Sequence, residues 1–297
     1  MASQLKYYLD QNYKRFHRPE LLDSDPLFFV HQYSNPFDQE AVALFSALLS
    51  YGNVKQIKKS VSLLLNVFED FGGPHRAIFQ FASKKGQKTF LNEMTHWKHR
   101  LNDPRDLIAL IVLYADVLER YQSLGDYLVS IHRSSLLESW HFWVTDWKKK
   151  GKKIGGPYFS HLLSSPLDGS ACKRLCMLFR WMVRKDKIDV GLWQTGSPLL
   201  TQQGFSPNQL FLPLDTHVGS LCQLLGLTQK KTLNWKMTEE VTEAFRVLTP
   251  KDPVRYDFSL CRLGILDLCQ KRWNVEICEQ CQLQPVCLFR EVEKKSF

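Results

Sequence analysis

The chain is expected to be all-α, folded as two helical lobes. Three observations carry that expectation. Apolar residues recur at helical spacing over long stretches, strand-like alternation is almost absent, and two stretches open on Asp-Pro, a preferred helix start.

Taken in order, "QEAVALFSALLSYG" (39–52) and "VKQIKKSVSLLLNVFEDF" (54–71) each place apolar residues on one helical face. "NDPRDLIALIVLYADVLERY" (102–121) starts with Asp103 as N-cap and Pro104 in the first turn. "KDPVRYDFSLCRLGIL" (251–266) offers the same device in Asp252 and Pro253. With helices of ordinary length, the 297 residues hold roughly a dozen of them. Two stretches read as connectors. "KKKGKKIGG" (148–156) packs five lysines and three glycines into nine residues, and 191–210 has glycines and two Ser-Pro pairs.

Composition is that of an ordinary globular chain, 44% hydrophobic and 23% charged. The excess of 39 Lys and Arg over 30 Asp and Glu, a net +9, points toward a polyanionic partner. The N-terminal stretch has scattered charges and lacks the apolar core of a signal peptide. The longest apolar run, "LIALIVLYA" (107–115), is too short to span a bilayer, so a cytoplasmic protein with no membrane partner is expected. Eight cysteines in such a chain suggest metal, catalysis or core filling before disulfides.

Three constellations carry chemistry. In "SPLDGSACKRLCMLFRWMVR" (165–184), Pro166 and Gly169 punctuate a turn, and from Ala171 onward Leu175, Leu178, Phe179, Met182 and Val183 form a helical stripe. Gly169 and Ser170 then lie at a helix start, where free backbone N–H groups can hold an anion, and Lys173 falls about one turn in. A helix-hairpin-helix that grips a DNA phosphate and a plain helical hairpin with a solvated lysine both fit. In "FLPLDTHVGSLCQLLG" (211–226), Asp215 reads as the N-cap of a helix burying Val218, Leu221, Leu224 and Leu225 and ending at Gly226. A carboxylate in so apolar a run also asks for a cationic partner. The third constellation is "CQKRWNVEICEQCQLQPVC" (269–287), spaced Cys-x8-Cys-x2-Cys-x5-Cys, a pattern that lets four thiolates converge on one metal centre, zinc or iron–sulfur. Cys172, Cys176, Cys222 and Cys261 sit on apolar helical faces, where core packing is the default.

In this order the three constellations resemble the helix-hairpin-helix DNA glycosylase superfamily, and within it the endonuclease III branch. "LDGSACK" (167–173) is similar to the family's hairpin, with Lys173 matching the lysine that attacks the sugar. Asp215, Thr216 and His217 match its Asp-Thr-His, and Cys269, Cys278, Cys281 and Cys287 its terminal [4Fe–4S] loop. "NPFDQEAVALFSALLSYGN" (35–53) is similar to the helix ending in the duplex-probing residue, here Gly52 with Asn53 beside it. "CKRLCMLFRWMVR" and "PLDTHV" are also similar to a bacterial family of conserved proteins of unknown function. The chain departs from the glycosylase pattern in four respects. Ala171 replaces a second glycine, the first cysteine spacing is x8 instead of x6, Lys173 and Asp215 are 42 residues apart, and the segment between 70 and 165 is longer.

The resemblance implies a two-lobed helical DNA glycosylase-like fold with a C-terminal four-cysteine metal loop. The central bundle would span 38–204, its hairpin 156–184, and residues 1–37 plus 205–297 would form the second lobe, with the active site in a cleft between them. It implies a DNA repair glycosylase with AP lyase activity that excises an oxidised or damaged base through a lysine Schiff base. Lys173 and Asp215 would be catalytic, and Gly169, Ala171, Asn53, Lys271 and Arg272 would touch DNA. A [4Fe–4S] cluster, or zinc, would sit on Cys269, Cys278, Cys281 and Cys287. The expected partner is double-stranded DNA carrying a damaged base, met by a monomer at the nucleoid. Burial near a helix start is expected to lower the Lys173 pKa. Lys148, Lys149, Lys150, Lys152 and Lys153 are further phosphate candidates, and Trp181, Trp193 and Phe205 candidates to stack on a flipped base. A non-catalytic DNA-binding or structural relative, and a zinc-stabilised helical protein without a DNA role, remain the alternatives.

Overall fold

A computed structural model describes residues 2–131 and 135–289, and they are all-helical as expected. Among them are no strands, only isolated bridges at His99–Asn102 and Lys185–Val190. The described residues form fourteen α-helices: α1 Ala2–Phe16, α2 Pro36–Leu48, α3 Val54–Asp70, α4 Pro74–Ala82, α5 Lys84–Glu93, α6 Pro104–Arg120, α7 Leu124–Ser130, α8 Leu136–Gly151, α9 Phe159–Leu162, α10 Lys173–Val183, α11 Thr216–Leu224, α12 Trp235–Leu248, α13 Asp257–Ile265 and α14 Val275–Cys278. None is long and apolar enough to cross a membrane.

The helix starts follow local chemistry. Asp103 caps α6 in a full capping box with Asp106, and Pro104 occupies the first turn. Asn53 caps α3 by accepting from the Gln56 amide at 2.8 Å. Two expected boundaries move. Asp252 and Pro253 do not open a helix; consecutive turns run through 253–256, and α13 begins only at Asp257. Only the second half of "KKKGKKIGG" is a connector: 148–151 form the last turn of α8, and 152–156 lie in the turns that lead to α9. In that last turn of α8 the lysines meet the negative end of the helix dipole, and Lys148 and Lys150 pair with Asp168 and Asp146.

Two compact units divide the chain. One takes Met1–Leu21, Gly169–Arg180 and Pro207–Phe297, the other Leu22–Asp168 and Trp181–Ser206. The sequence-based division at 37/38 and 204/205 differs in three places, the smallest being residues 205–206, which belong to the larger unit. Residues 22–37 group with the helices of the larger unit, and 169–180 group with the terminal segments.

The larger unit is organised around an aromatic core in which Phe45, Phe68, Phe81 and Phe90 meet in successive edge or tilted contacts. Inside it Glu40 of α2 is fully buried and accepts four hydrogen bonds, from Tyr114 Oη at 2.7 Å, Trp193 Nε1 at 2.7 Å and the backbone amides of Leu124 and Gly125 at 2.9 and 3.0 Å. Trp181, Trp193 and Phe205 are core residues here, so none offers a free ring for stacking on a base. In the smaller unit α1 packs on α13, with Tyr13 edge-on to Tyr256, and Val218, Leu221, Val241 and Phe245 fill the interior.

Candidate functional site

The expected turn before α10 exists, in altered form. Its first helix, α9, has only four residues, and Pro166–Asp168 is a 3-10 turn. Gly169 follows with φ +76, and a Cβ built there would meet nothing within 4 Å. Residues 167–170 are exposed, Leu167 at 74%. The helix begins two residues later than the pattern predicts. Cys172 is held at φ +53, unusual for a residue with a side chain, and its carbonyl accepts the first helical bonds from Leu175 and Cys176. Lys173 is therefore the first residue of α10, not one turn in. Ala171 is buried.

Asp215 serves two partners at once. Its Oδ1 accepts from the His217 and Val218 amides at 2.9 and 2.8 Å, capping α11, while Oδ2 accepts from Lys173 Nζ at 2.7 Å. Both side chains are about a third exposed, 34% for Lys173 and 29% for Asp215. At the other end of α11, Gly226 with φ +70 and the Leu227 amide returning to the Cys222 carbonyl complete a Schellman cap.

The charge state of Lys173 differs from expectation. Burial does push its pKa down, but the Asp215 carboxylate outweighs it and holds the group above 10.5. Burial likewise pushes Asp215 up, and Lys173 together with the two capping amides brings it below 3.8. The pair is thus an ammonium–carboxylate ion pair at rest.

Two further charged residues complete this region, and neither stood out in the sequence. Arg180 of α10 donates Nη1 to Oδ2 of Asp257, the first residue of α13, with both side chains buried. Their only signal was a charge set inside an aromatic run, "LFRW" and "RYDF". His217 lies against Gly264, where a Cβ would come within 2.2 Å of the imidazole, and its Nε2 is buried without a hydrogen-bond partner. Burial first, then Lys271, lowers its pKa.

Cys269, Cys278, Cys281 and Cys287 all line one cavity, together with Arg272 and Trp273. Its 40 Å³ exceeds the roughly 10–15 Å³ that one water needs. Among the described residues no three or more His, Cys, Asp or Glu side chains stand as a single metal ion requires. Zinc, with Zn–S bonds of about 2.3 Å, would draw four sulfurs tightly together, whereas a cluster several atoms across accepts a wider spread. Lys271, at φ +58, and Arg272 are exposed within this loop. Asn53 is exposed in the other unit with its amide oxygen committed to the α3 cap.

The family described as "Protein of unknown function (DUF2400)" matches residues 25–266, so the four-cysteine run lies beyond the matched stretch. No curated protein and no solved structure matches the chain.

Proposed function

The chain belongs to that family, and we propose that it is a DNA glycosylase with AP lyase chemistry, acting on a damaged base in duplex DNA. The observation that carries the proposal is the Lys173–Asp215 contact at 2.7 Å across 42 residues of sequence, at the start of two helices. A lysine attacks only as the free amine, so the resting ion pair is a loaded precursor. Its hydrogen bond is a path along which the Nζ proton passes to Asp215 Oδ2. The freed amine then forms a bond to C1′ as the bond to the base breaks. The base leaves with the electron pair and takes up a proton. The nitrogen then loses a proton, and the sugar ring opens as the C1′–O4′ bond breaks and O4′ takes up a proton. The Schiff base so formed permits β-elimination, in which a C2′ proton is lost and the 3′ phosphate leaves, nicking the strand. Extruding the target nucleotide costs a few kcal/mol, least for a damaged base.

DNA affinity comes from phosphate contacts. Gly169 and Ala171 supply backbone amides, Lys271 and Arg272 supply charge, and Asn53 is an exposed helix cap offered to the duplex. Cys269, Cys278, Cys281 and Cys287 would hold a [4Fe–4S] cluster, whose part is to clamp the loop that presents Lys271 and Arg272. The protein works as a cytoplasmic, nucleoid-associated monomer.

Borohydride reduction during incubation with lesion-bearing or abasic duplexes is expected to trap a covalent adduct. No adduct with any such duplex, or an adduct that survives Lys173→Ala, overturns the proposal. The raised Lys173 pKa favours one second reading, a non-catalytic DNA-binding relative in which the ion pair is permanent. That protein would bind duplex with a steep salt dependence and leave it uncut.

A further inference from the structure

In the larger unit, three segments meet at a turn that the proposed chemistry does not use. His99 and Asn102 exchange backbone hydrogen bonds at 3.0 Å in each direction, which leaves Arg100 and Leu101 as the two residues of a tight loop. Arg100 stands at φ +54, a conformation that such loops usually give to glycine, and holding an arginine there costs energy. The surroundings over-determine it. His99 and Asn102 are both fully buried. His99 Nδ1 lies 3.0 Å from Ser60 Oγ and Nε2 3.0 Å from the Tyr51 carbonyl, while Asn102 Nδ2 donates to Asp106 Oδ2 at 2.7 Å and to the Tyr158 carbonyl at 3.1 Å. Tyr51 Oη closes the frame, reaching the His99 carbonyl at 2.9 Å and Asn102 Oδ1.

What this frame presents to solvent is cationic and apolar together. Arg100 is exposed and makes no hydrogen bond or ion pair among the described residues. Its stem lies across Gly52, where a Cβ would come within 3.0 Å of Arg100 Cδ. Leu101 is 46% exposed and Tyr158 49%, and the exposed His161 ring stands edge-on to Tyr51 at 4.9 Å. Lys55, Lys152 and Lys153 are exposed on the adjoining segments. The carboxylates beside the turn are engaged: Asp103 pairs with Arg105 at 2.6 Å, and Asp106 is buried under Asn102. Bases in an intact duplex show only their edges in the grooves, whereas unpaired bases offer faces that stack on a ring while a guanidinium takes the phosphate. An acidic peptide would use the cations and leave Tyr158 and Leu101 without a role.

We propose that this turn is a platform for unpaired nucleic acid: Tyr158 and Leu101 pack against unstacked bases, and Arg100 holds a phosphate of the same strand. The buried frame orders the tip before the strand arrives, so little freedom is lost on binding. The platform goes beyond the excision proposal and shares with it only a nucleic-acid partner.

The test is fluorescence anisotropy of the full chain with a labelled oligothymidine of about 12 nucleotides, set against an undamaged duplex of the same length. Wild type is expected to bind the single strand more tightly than the duplex. Tyr158→Ala and Arg100→Gly, each with wild-type circular dichroism, are expected to weaken single-strand binding about fivefold or more. Arg100→Gly should fold at least as well as wild type, because glycine adopts φ +54 without strain. Lys84→Ala removes an exposed cation at the start of α5 and is expected to leave binding unchanged. Equal losses in Arg100→Gly and Lys84→Ala would mean diffuse charge attraction and overturn the proposal. So would tighter binding of the duplex, a Tyr158→Ala protein that binds like wild type, or a poly-glutamate peptide bound as tightly as the oligonucleotide. Borohydride trapping on lesion-bearing duplex bears on excision alone, so the two proposals fail separately.

Discussion

Lys173 Nζ and Asp215 Oδ2 lie 2.7 Å apart, while the other oxygen of the same carboxylate caps α11. One side chain thus ties the start of α10 to the start of α11. Its two duties separate by substitution. Asp215→Asn keeps a capping oxygen and forfeits the charge, so it is expected to melt within a few degrees of wild type and to yield no borohydride adduct. Asp215→Ala loses the cap as well and is expected to cost about 0.5–2 kcal/mol more. Denaturant midpoints and adduct yield measured on both proteins check this.

The charged groups of this unit give pH dependences of opposite sign. Asp215 is depressed below 3.8, so its contribution is present above that value and fades as pH falls through the depressed one. Lys173 is raised above 10.5, so its contribution is complete below 10.5 and fades as pH rises past the raised value. Asp257 behaves the other way. Raised from 3.8 to about 6 chiefly by burial, with Arg180 pulling it back, it binds its proton more tightly folded than unfolded. Stability is therefore expected to decline as pH rises from about 4 to 6, by on the order of 2–3 kcal/mol from this group. Asp257→Asn should flatten that segment of a curve of unfolding free energy against pH.

Glu40 is the polar hub of the larger unit, with four donors converging on two oxygens. In Glu40→Gln one oxygen becomes an NH2 group facing donors. Each donor left without an acceptor is expected to cost about 1–3 kcal/mol. Urea unfolding followed by tryptophan fluorescence suits the measurement, because Trp193 is one of the four donors.

Protein purified without oxygen is expected to be yellow-brown, to carry about four irons per chain and to bleach with a chelator after oxidation. Cys278→Ser and Cys287→Ser should each lose iron and colour, whereas Cys176→Ser, on α10, should keep both. Colourless protein with one zinc would remove the cluster from the proposal.

Gly264 is a packing requirement set by His217. Gly264→Ala places a methyl within 2.2 Å of the imidazole and is expected to destabilise by about 1–3 kcal/mol. Adding His217→Ala should return part of that loss, a coupling readable in a double-mutant cycle.

Much of the helical framework was legible because its determinants are local. Asp103 with Pro104, and Asp215, each mark a helix start through contacts spanning two or three residues. The stripe from Leu175 to Val183 is buried as its spacing predicts. Asp252 and Pro253 carry the same local signal, yet turns follow them and α13 begins at Asp257, the residue paired with Arg180. The lysines of 148–153 read as a linker, since composition alone does not distinguish a solvated loop from the cationic end of a helix.

The sequence by itself determined the all-α class, the main helix faces and the Asp215 cap, because periodicity and capping act over a few residues. Tertiary structure decided the rest. It brought Lys173 onto Asp215 across 42 residues, closed the buried Arg180–Asp257 pair across 77, and made the lysine a held ammonium. The reason is electrostatic: a charge's state depends on which charges and how little water surround it, and those neighbours come together only when distant segments fold onto one another.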